Sequence, residues 1–323
     1  MIVSSSKYLP LVATNSKGRI TSIPCKLIRK PMTIKEQTKI ITDPSLLITC
    51  NYIFKDKKFD WIHNVKAVGH PYKKVDTFPE WMKLYLLSES DFTDKINTST
   101  VSGKGKRSWD FIYFTINSLQ GVHCKGMHLL PFIDKAAKKL KLNGLIINYG
   151  PTPEKKPSKL THQHVLDEIR QYMGNMYLTV KNNILNDAEM CSVIQSSKFV
   201  LFPNTKDSSP RMIPETLVRD VPVLVNSSIY GGWKYVNEQT GMFFNAPTLE
   251  EYCNKKFNEN ELIDHICSCM DSMMNTKFDK VSEFYYEQFG FTKSATRLAS
   301  IINEFSGTDY KMACYKEWKE MLN

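Results

Sequence analysis

Three stretches of the chain bring cations, carboxylates and glycines together at spacings that suit an anionic ligand. The first is Ser118-Leu119-Gln120-Gly121-Val122-His123-Cys124-Lys125-Gly126, whose last two residues stand at the start of a segment with helical apolar spacing. An ammonium beside the unpaired amides of a helix N-terminus is a good place for a diphosphate, because both supply positive potential. The same residues also read as a surface lysine next to a turn glycine. The second stretch, Asn204-Thr205-Lys206-Asp207-Ser208-Ser209-Pro210-Arg211, runs into Met212-Ile213-Pro214-Glu215. Ser209 as N-cap and Pro210 at the first helical position would aim free N–H groups at an anion. Arg211 offers a planar fork for phosphate. Glu215, about one and a half turns later, can accept two hydrogen bonds from adjacent hydroxyls such as those of a ribose. A capped helix with its charges in water is the plainer reading. In the third stretch, Tyr230-Gly231-Gly232-Trp233, the glycines let backbone approach a ligand closely or simply form a turn.

The elements that must hold these stretches follow from periodicity. Asp110–Phe114 is a short apolar strand, Leu129–Leu140 an amphipathic helix, and Leu145–Tyr149 a second strand stopped by Gly150-Pro151. The alternation continues with a helix around Val165–Tyr172, a strand at Met176–Val180 and a helix at Asp187–Gln195. A strand at Lys198–Phe202, a helix over Pro210–Arg219 and a strand at Val221–Val225 follow. Such alternation implies a parallel sheet covered on both faces. In an open sheet of that kind, ligands bind beyond the carboxyl ends of the strands, where all three stretches fall. From Leu249 onward the pattern is helical, with one or two helices over Val281–Phe305 and a last amphipathic one over Asp309–Leu322. In the first 105 or so residues, Leu46–Cys50 and Trp81–Leu87 read as strands, and Phe59–His63 could open another. Ser, Thr, Gly and Lys residues of Asn97–Lys106 read as a linker.

Taken together, the three stretches resemble the donor-binding domain of GT-B glycosyltransferases, above all the family 4 retaining enzymes. The resemblance covers roughly residues 108–305. Its marks are a loop ending in Lys125-Gly126, a strand ending in Pro203, and Asp207 and Glu215 with seven residues between them. Val221-Pro222-Val223, the turn Gly231-Gly232 and the segment Thr240–Phe244 complete it. The resemblance implies an α/β chain of GT-B architecture: two Rossmann-like domains with parallel sheets facing across a cleft, the N-terminal one reduced. It implies domains at 1–106 (acceptor side) and 107–305 (nucleotide sugar), with a terminal helix over 306–323 packing back on the first.

By the same resemblance, Lys125 and Gly126 hold the diphosphate of a UDP- or GDP-linked sugar and Glu215 its ribose. Asp207, in place of the usual glutamate, lies near the donor sugar. Ser208 and Ser209 replace a Gly–aromatic pair, and the arginine that the family carries before the lysine is missing. Arg211 can compensate, and Ser209-Pro210-Arg211 is also similar to exostosin-type enzymes, which invert. His70, after Gly69, and His63, at the end of Asp60-Trp61-Ile62-His63, are the acceptor-side candidates for catalysis. The acceptor is a hydroxyl, first of all on a glycan. No cofactor or metal is expected beyond the nucleotide sugar, since protein cations face the leaving group. A DNA- or base-modifying transferase, and a non-catalytic or epimerase-type GT-B protein, are the alternatives.

Composition bounds these readings. The 323 residues are 42% hydrophobic and 24% charged, which excludes a disordered or fibrous chain. Net charge is +10, favouring anionic partners, nucleic acid among them, although the lysines form no evident stripe. Eight cysteines at mostly wide spacing lack a zinc-type pairing and read as free thiols. No apolar run approaches the roughly 20 residues of a membrane span. With no secretory pattern at the start, a cytoplasmic location is expected.

Overall fold

The structure, a computed structural model, describes residues 107–149, 162–182, 185–207 and 210–306, and before them six strand segments. The chain divides into two compact units: Met1–Ile96 with Tyr285–Asn323, and Asn97–Phe284.

The first unit holds a four-stranded parallel sheet of β1 (Ile2–Val3), β4 (Ile48–Tyr52), β5 (Ala67–Pro71) and β6 (Lys83–Leu84), in that spatial order. An antiparallel pair, β2 (Val12–Thr14) and β3 (Ile20–Ser22), accompanies it. The expected strands at 46–50 and 81–87 therefore exist with shifted or shorter bounds. Gly69-His70, expected in a loop, lies inside β5, with His70 in register with Asn51 of β4. His63 and the stretch 59–63 lie outside the described residues, as do the linker 97–106 and the terminal helix 309–322.

The second unit is built on a six-stranded parallel sheet. Its strands are β7 (Trp109–Ile116), β8 (Gly144–Tyr149), β9 (Thr179–Asn182), β10 (Ser197–Phe202), β11 (Val223–Asn226) and β12 (Gly241–Phe244). The spatial order is β12-β11-β10-β7-β8-β9, so the chain runs outward to one side from β7, then returns to β10 and runs to the other. The connections include helices α1 (Leu119–Cys124), α2 (Leu130–Leu140), α3 (Gln163–Met173), α4 (Asp187–Gln195) and α5 (Met212–Leu217). After the sheet come α6 (Leu249–Cys253) and α7 (Glu259–Asn275); the unit boundary at Tyr285 falls within α8 (Val281–Phe289), and α9 (Phe291–Ser306) belongs to the first unit. The helical region over 281–305 is thus two helices, parted at Gly290.

Strands buried on both faces need continuous apolar runs, and β7 supplies one: Phe111, Ile112, Tyr113 and Phe114 are all buried. Phe111 stacks on Phe199 of the neighbouring β10, ring centroids 5.6 Å apart. Ala136 and Ala137 of α2 and Cys267 and Met270 of α7 belong to the same core cluster as Phe111 and Tyr113. Burying a large apolar side chain of this kind contributes about 1.5–3 kcal/mol. That layer fixes where the carboxyl ends of β7 and β10 stand.

Several bounds differ from the periodicity. The stretch 115–126, expected as a loop, contains α1, and a 3-10 turn at Met127–Leu129 separates Gly126 from α2. The strand expected at 176–180 is β9, three residues later. Pro222 precedes β11 instead of opening it, and its carbonyl accepts from Val200 N–H. The helix expected from Pro210 begins at Met212, with Arg211 rather than Ser209 at the cap position. Pro214 is the reason. It has no N–H to give to the Pro210 carbonyl, which accepts from Ile213 N–H at 3.0 Å in a tighter turn, and the first four-residue helical bond is Glu215 N–H to Arg211 O, 3.1 Å.

Candidate functional site

The sheet order places a crevice between β7 and β10, where connections leave the sheet in opposite directions. Open α/β sheets bind ligands at such a switch point, beyond the carboxyl ends. The loop after β7 delivers Lys125 there. Tyr113, fully buried in β7, donates from its hydroxyl to the Lys125 carbonyl at 2.7 Å, and burial holds its phenol well above the ordinary range. Thr205, in the loop after β10, donates to the carbonyls of Cys124 and His123, both at 3.3 Å. Gly126 has φ 73, and a Cβ there would lie 2.1 Å from the Pro203 carbonyl oxygen. Only glycine allows both that backbone conformation and that approach of the two loops.

The loop after β10 brings Asp207 to meet it. Lys125 Nζ lies 2.5 Å from Asp207 Oδ2, an ion pair with 24% and 12% of the two side chains exposed. Asn204 Nδ2 donates to the same oxygen at 2.8 Å. The Asp207 carbonyl accepts from Gly231 N–H at 2.9 Å, which ties in the loop after β11. Gly232, at φ 80, completes the turn, and a Cβ there would lie 2.5 Å from Pro210 Cγ. All three stretches therefore converge on one place.

Glu215 lies in the first turn of α5 and is half-buried, while Arg211 at its cap position is exposed. The Arg219 guanidinium donates to the Glu215 carbonyl oxygen and, at 2.8 and 3.1 Å, to Cys191 Sγ, which anchors the helix on α4. Across the crevice, burial and the charge of Glu215 push the Tyr149 phenol, at the end of β8, up to about 12. With six residues, α5 contributes little helix dipole; Lys125 and Lys206 are the cations that act on the Cys124 loop.

Of the sequence candidates, Lys125, Gly126, Asp207, Gly231 and Gly232 are joined by direct contacts, with Arg211 and Glu215 on the adjoining helix. Ser208, Ser209 and His63 lie outside the described residues, and His70 belongs to the other unit's sheet. Periodicity missed Asn204, Tyr113 and Asn148. Asn204 and Asn148 are buried, 3% and 1% exposed, and each has a side-chain oxygen with no hydrogen-bond partner among the described residues, as does Ser118. A polar residue at the end of an apolar strand was the available signal for both asparagines. Among the described residues, no three His, Cys, Asp or Glu side chains gather closely enough to hold a metal ion. No described helix is long and apolar enough to cross a membrane.

Solved structures share this architecture. Sucrose-phosphate synthase from Thermosynechococcus elongatus matches with a TM-score of 0.52 at 11% identity, over 95% of this chain and 88% of that one. The GtfA/B complex matches at 0.53 and 12% identity, over 81% of this chain and 53% of that one. The fold is GT-B. A third GT-B match is the lipopolysaccharide outer core galactosyltransferase WaaB, with a TM-score of 0.55, 8% identity, and coverage of 80% of this chain and 68% of that one. This GT-B chain spans about half the length of GtfA/B (53%) and of S. aureus TarM (51%). No protein-family model matches the sequence, and no curated protein matches it. The GT-B likeness is therefore one of fold.

Proposed function

We propose that the chain is a glycosyltransferase that moves a sugar from a nucleotide diphosphate sugar to an acceptor hydroxyl. The observation that carries this reading is the meeting of Lys125 and Asp207 at the crossover of a GT-B-type sheet, with Glu215 on the helix that leaves the same loop. In this reading Lys125 and Arg211 face the diphosphate and Glu215 accepts from the ribose hydroxyls. Asp207, Gly231 and Gly232 line the sugar end. The bond between the anomeric carbon and the diphosphate oxygen breaks, a bond to the acceptor oxygen forms, and the acceptor's hydroxyl proton is released with the nucleoside diphosphate. Charge grows on the departing diphosphate, and fixed cations beside it are the main catalytic service such a site offers.

The family 4 resemblance adds retention of configuration, a UDP- or GDP-linked donor as co-substrate, and protein cations in place of a metal at the leaving group. A glycan acceptor is in keeping with WaaB, which acts on the lipopolysaccharide outer core. Cytoplasmic location is in keeping with the free thiols of Cys124, Cys191, Cys253, Cys267 and Cys269. The test is transfer or hydrolysis from a panel of UDP- and GDP-sugars. Wild type should turn over one of them, and Glu215→Ala should lose that turnover while unfolding at an unchanged temperature. If no donor is consumed, and neither UDP nor GDP raises the melting temperature as a ligand of the folded state must, the reading is wrong.

A further inference from the structure

A second concavity of the same unit shares no residue with the Lys125–Asp207 site. Helices α2, α3 and α6 and the turn into α7 border a cavity of about 370 Å³, room for a small organic ligand. Three rings line it and touch one another. Phe257 stacks on Tyr252 with centroids 6.0 Å apart and meets Phe132 edge-on at 5.5 Å. The chain turns back toward these rings at the end of α6, where Lys255 takes φ 50 and Lys256 N–H closes onto the Glu251 carbonyl at 3.0 Å. Two carboxylates belong to the lining, Glu168 of α3 and Glu259 at the first position of α7. At one end the chain supplies its own cation: Lys135 Nζ lies 5.8 Å from the Phe132 ring centroid and 3.8 Å from Glu259. At the other end Glu168 has no hydrogen-bond or ion-pair partner among the described residues. Burial, and after it the charge of Glu168, raises both the Tyr252 phenol and the Cys253 thiol.

We propose that this cavity binds a small organic cation, an ammonium carried on an apolar or aromatic body, with Glu168 as its counter-ion and the Tyr252 and Phe257 rings as its wall. The inference does not depend on the nucleotide-sugar reading. The face of an aromatic ring is electronegative, so it attracts a cation and repels an anion. A carboxylate beside such a face accepts the ammonium's hydrogen bonds and balances its charge. Lys135, between the Phe132 ring and Glu259, is this chemistry performed within the chain, and the Glu168 end repeats the parts without the cation. The three rings and Val165, 1% exposed, give the ligand's body apolar area to bury. A chain of net charge +10 attracts anions in general, but the described lining of this cavity holds two carboxylates against one ammonium, that of Lys255. The cavity therefore selects against the sign that the whole molecule favours.

The experiment is calorimetric titration of the full chain with three probes of similar shape: 2-phenylethylammonium, 2-phenylethanol and 3-phenylpropanoate. The ammonium should bind about tenfold more tightly than the alcohol, and the carboxylate should be the weakest of the three. Glu168→Gln, an exposed change that keeps the shape and removes the charge, should lower the ammonium to the affinity of the alcohol at an unchanged melting temperature. Cys253→Trp, which fills the cavity, should abolish binding of both. If the tryptophan variant does not fold, Glu168→Gln decides alone. The proposal is overturned if wild type binds none of the probes, or binds the carboxylate at least as tightly as the ammonium. It is also overturned if Glu168→Gln keeps the ammonium's advantage, or if folded Cys253→Trp binds the ammonium as wild type does. None of these titrations contains a nucleotide, so their failure is separate from a failure of donor turnover.

Discussion

The two ends of the six-stranded sheet differ in how they treat polar groups. At the amino end, the Asp110 carboxylate accepts from Asn143 N–H at 2.7 Å and pairs with Lys198 at 2.8 Å. Asn143 Nδ2 donates to Ser108 O, Arg107 to Lys198 O, and Ser197 Oγ to Ile194 O. These groups form a closed set. At the carboxyl end, Lys125 and Asp207 form a similar pair, yet Ser118 Oγ, Asn148 Oδ1 and Asn204 Oδ1 are buried without partners among the described residues. Leaving a buried acceptor unmade costs about 1–3 kcal/mol, so each such group in a native protein calls for an explanation. Two Lys–Asp pairs of similar geometry therefore have different meanings. One belongs to a closed set, while the other stands beside polar atoms that have no partner among the described residues.

Replacing the two lysines is the sharpest way to break that contrast. Lys125→Ala should lower kcat/KM by about 10²–10³-fold, the usual effect of losing one preorganised charge-stabilising group. Lys198→Ala should leave steady-state kinetics unchanged; an equal loss there would erase the distinction between the ends. Glycines provide the next comparison. Gly126→Ala, with φ 73 and a carbonyl 2.1 Å from the new Cβ, should destabilise the fold by about 3 kcal/mol in urea titrations. Gly174, where α3 arrives at the amino end, has φ −67 and ψ −19, and a Cβ would meet nothing closer than 3.5 Å. Gly174→Ala should therefore be neutral or stabilising by about 0.5 kcal/mol.

His128 probes the wall behind the Lys125 loop. It is fully buried with its ring nitrogens 3.3 and 3.0 Å from the carbonyl oxygens of Val122 and Pro247, and burial pushes its pKa down to about 4. In the unfolded chain it protonates near 6.5, so below that pH the unfolded state binds the extra proton. Stability should then fall as pH drops from 6.5 toward 4, by about 2 kcal/mol at pH 5. Urea titrations of wild type and His128→Phe at pH 7 and pH 5 measure it, and equal slopes in the two proteins would exclude His128 as the source. A modest effect belongs to Asp110→Asn. It should cost about 1 kcal/mol, because the pair with Lys198 is partly exposed, and should leave donor affinity unchanged in calorimetry.

Much of the second unit was legible because its strands are apolar runs bounded by Pro, Gly and polar clusters. Asp187–Gln195 comes out with the same bounds in sequence and structure, and β7, β8 and β10 differ by a residue or two at their ends. What escaped periodicity was local backbone chemistry. Helix α1 hides in a polar segment because six residues cannot show a face, and the start of α5 depends on an N–H that Pro214 lacks. In the first unit, strands of two to five residues carry Asn51, His70 and Lys83, so apolar alternation gives little to read.

Residue types and intervals, which are properties of the chain alone, were enough to single out Lys125-Gly126, Asp207, Glu215 and Gly231-Gly232 and to imply a parallel sheet beneath them. Their meeting was decided by packing across long separations. Lys125 and Asp207 are 82 residues apart, and they touch because β7 and β10, though not consecutive, are neighbours in the sheet. No interval in the sequence states that adjacency. It arises because the strands must cover both faces of one apolar layer, and the order that does so turns two distant loops toward the same crevice.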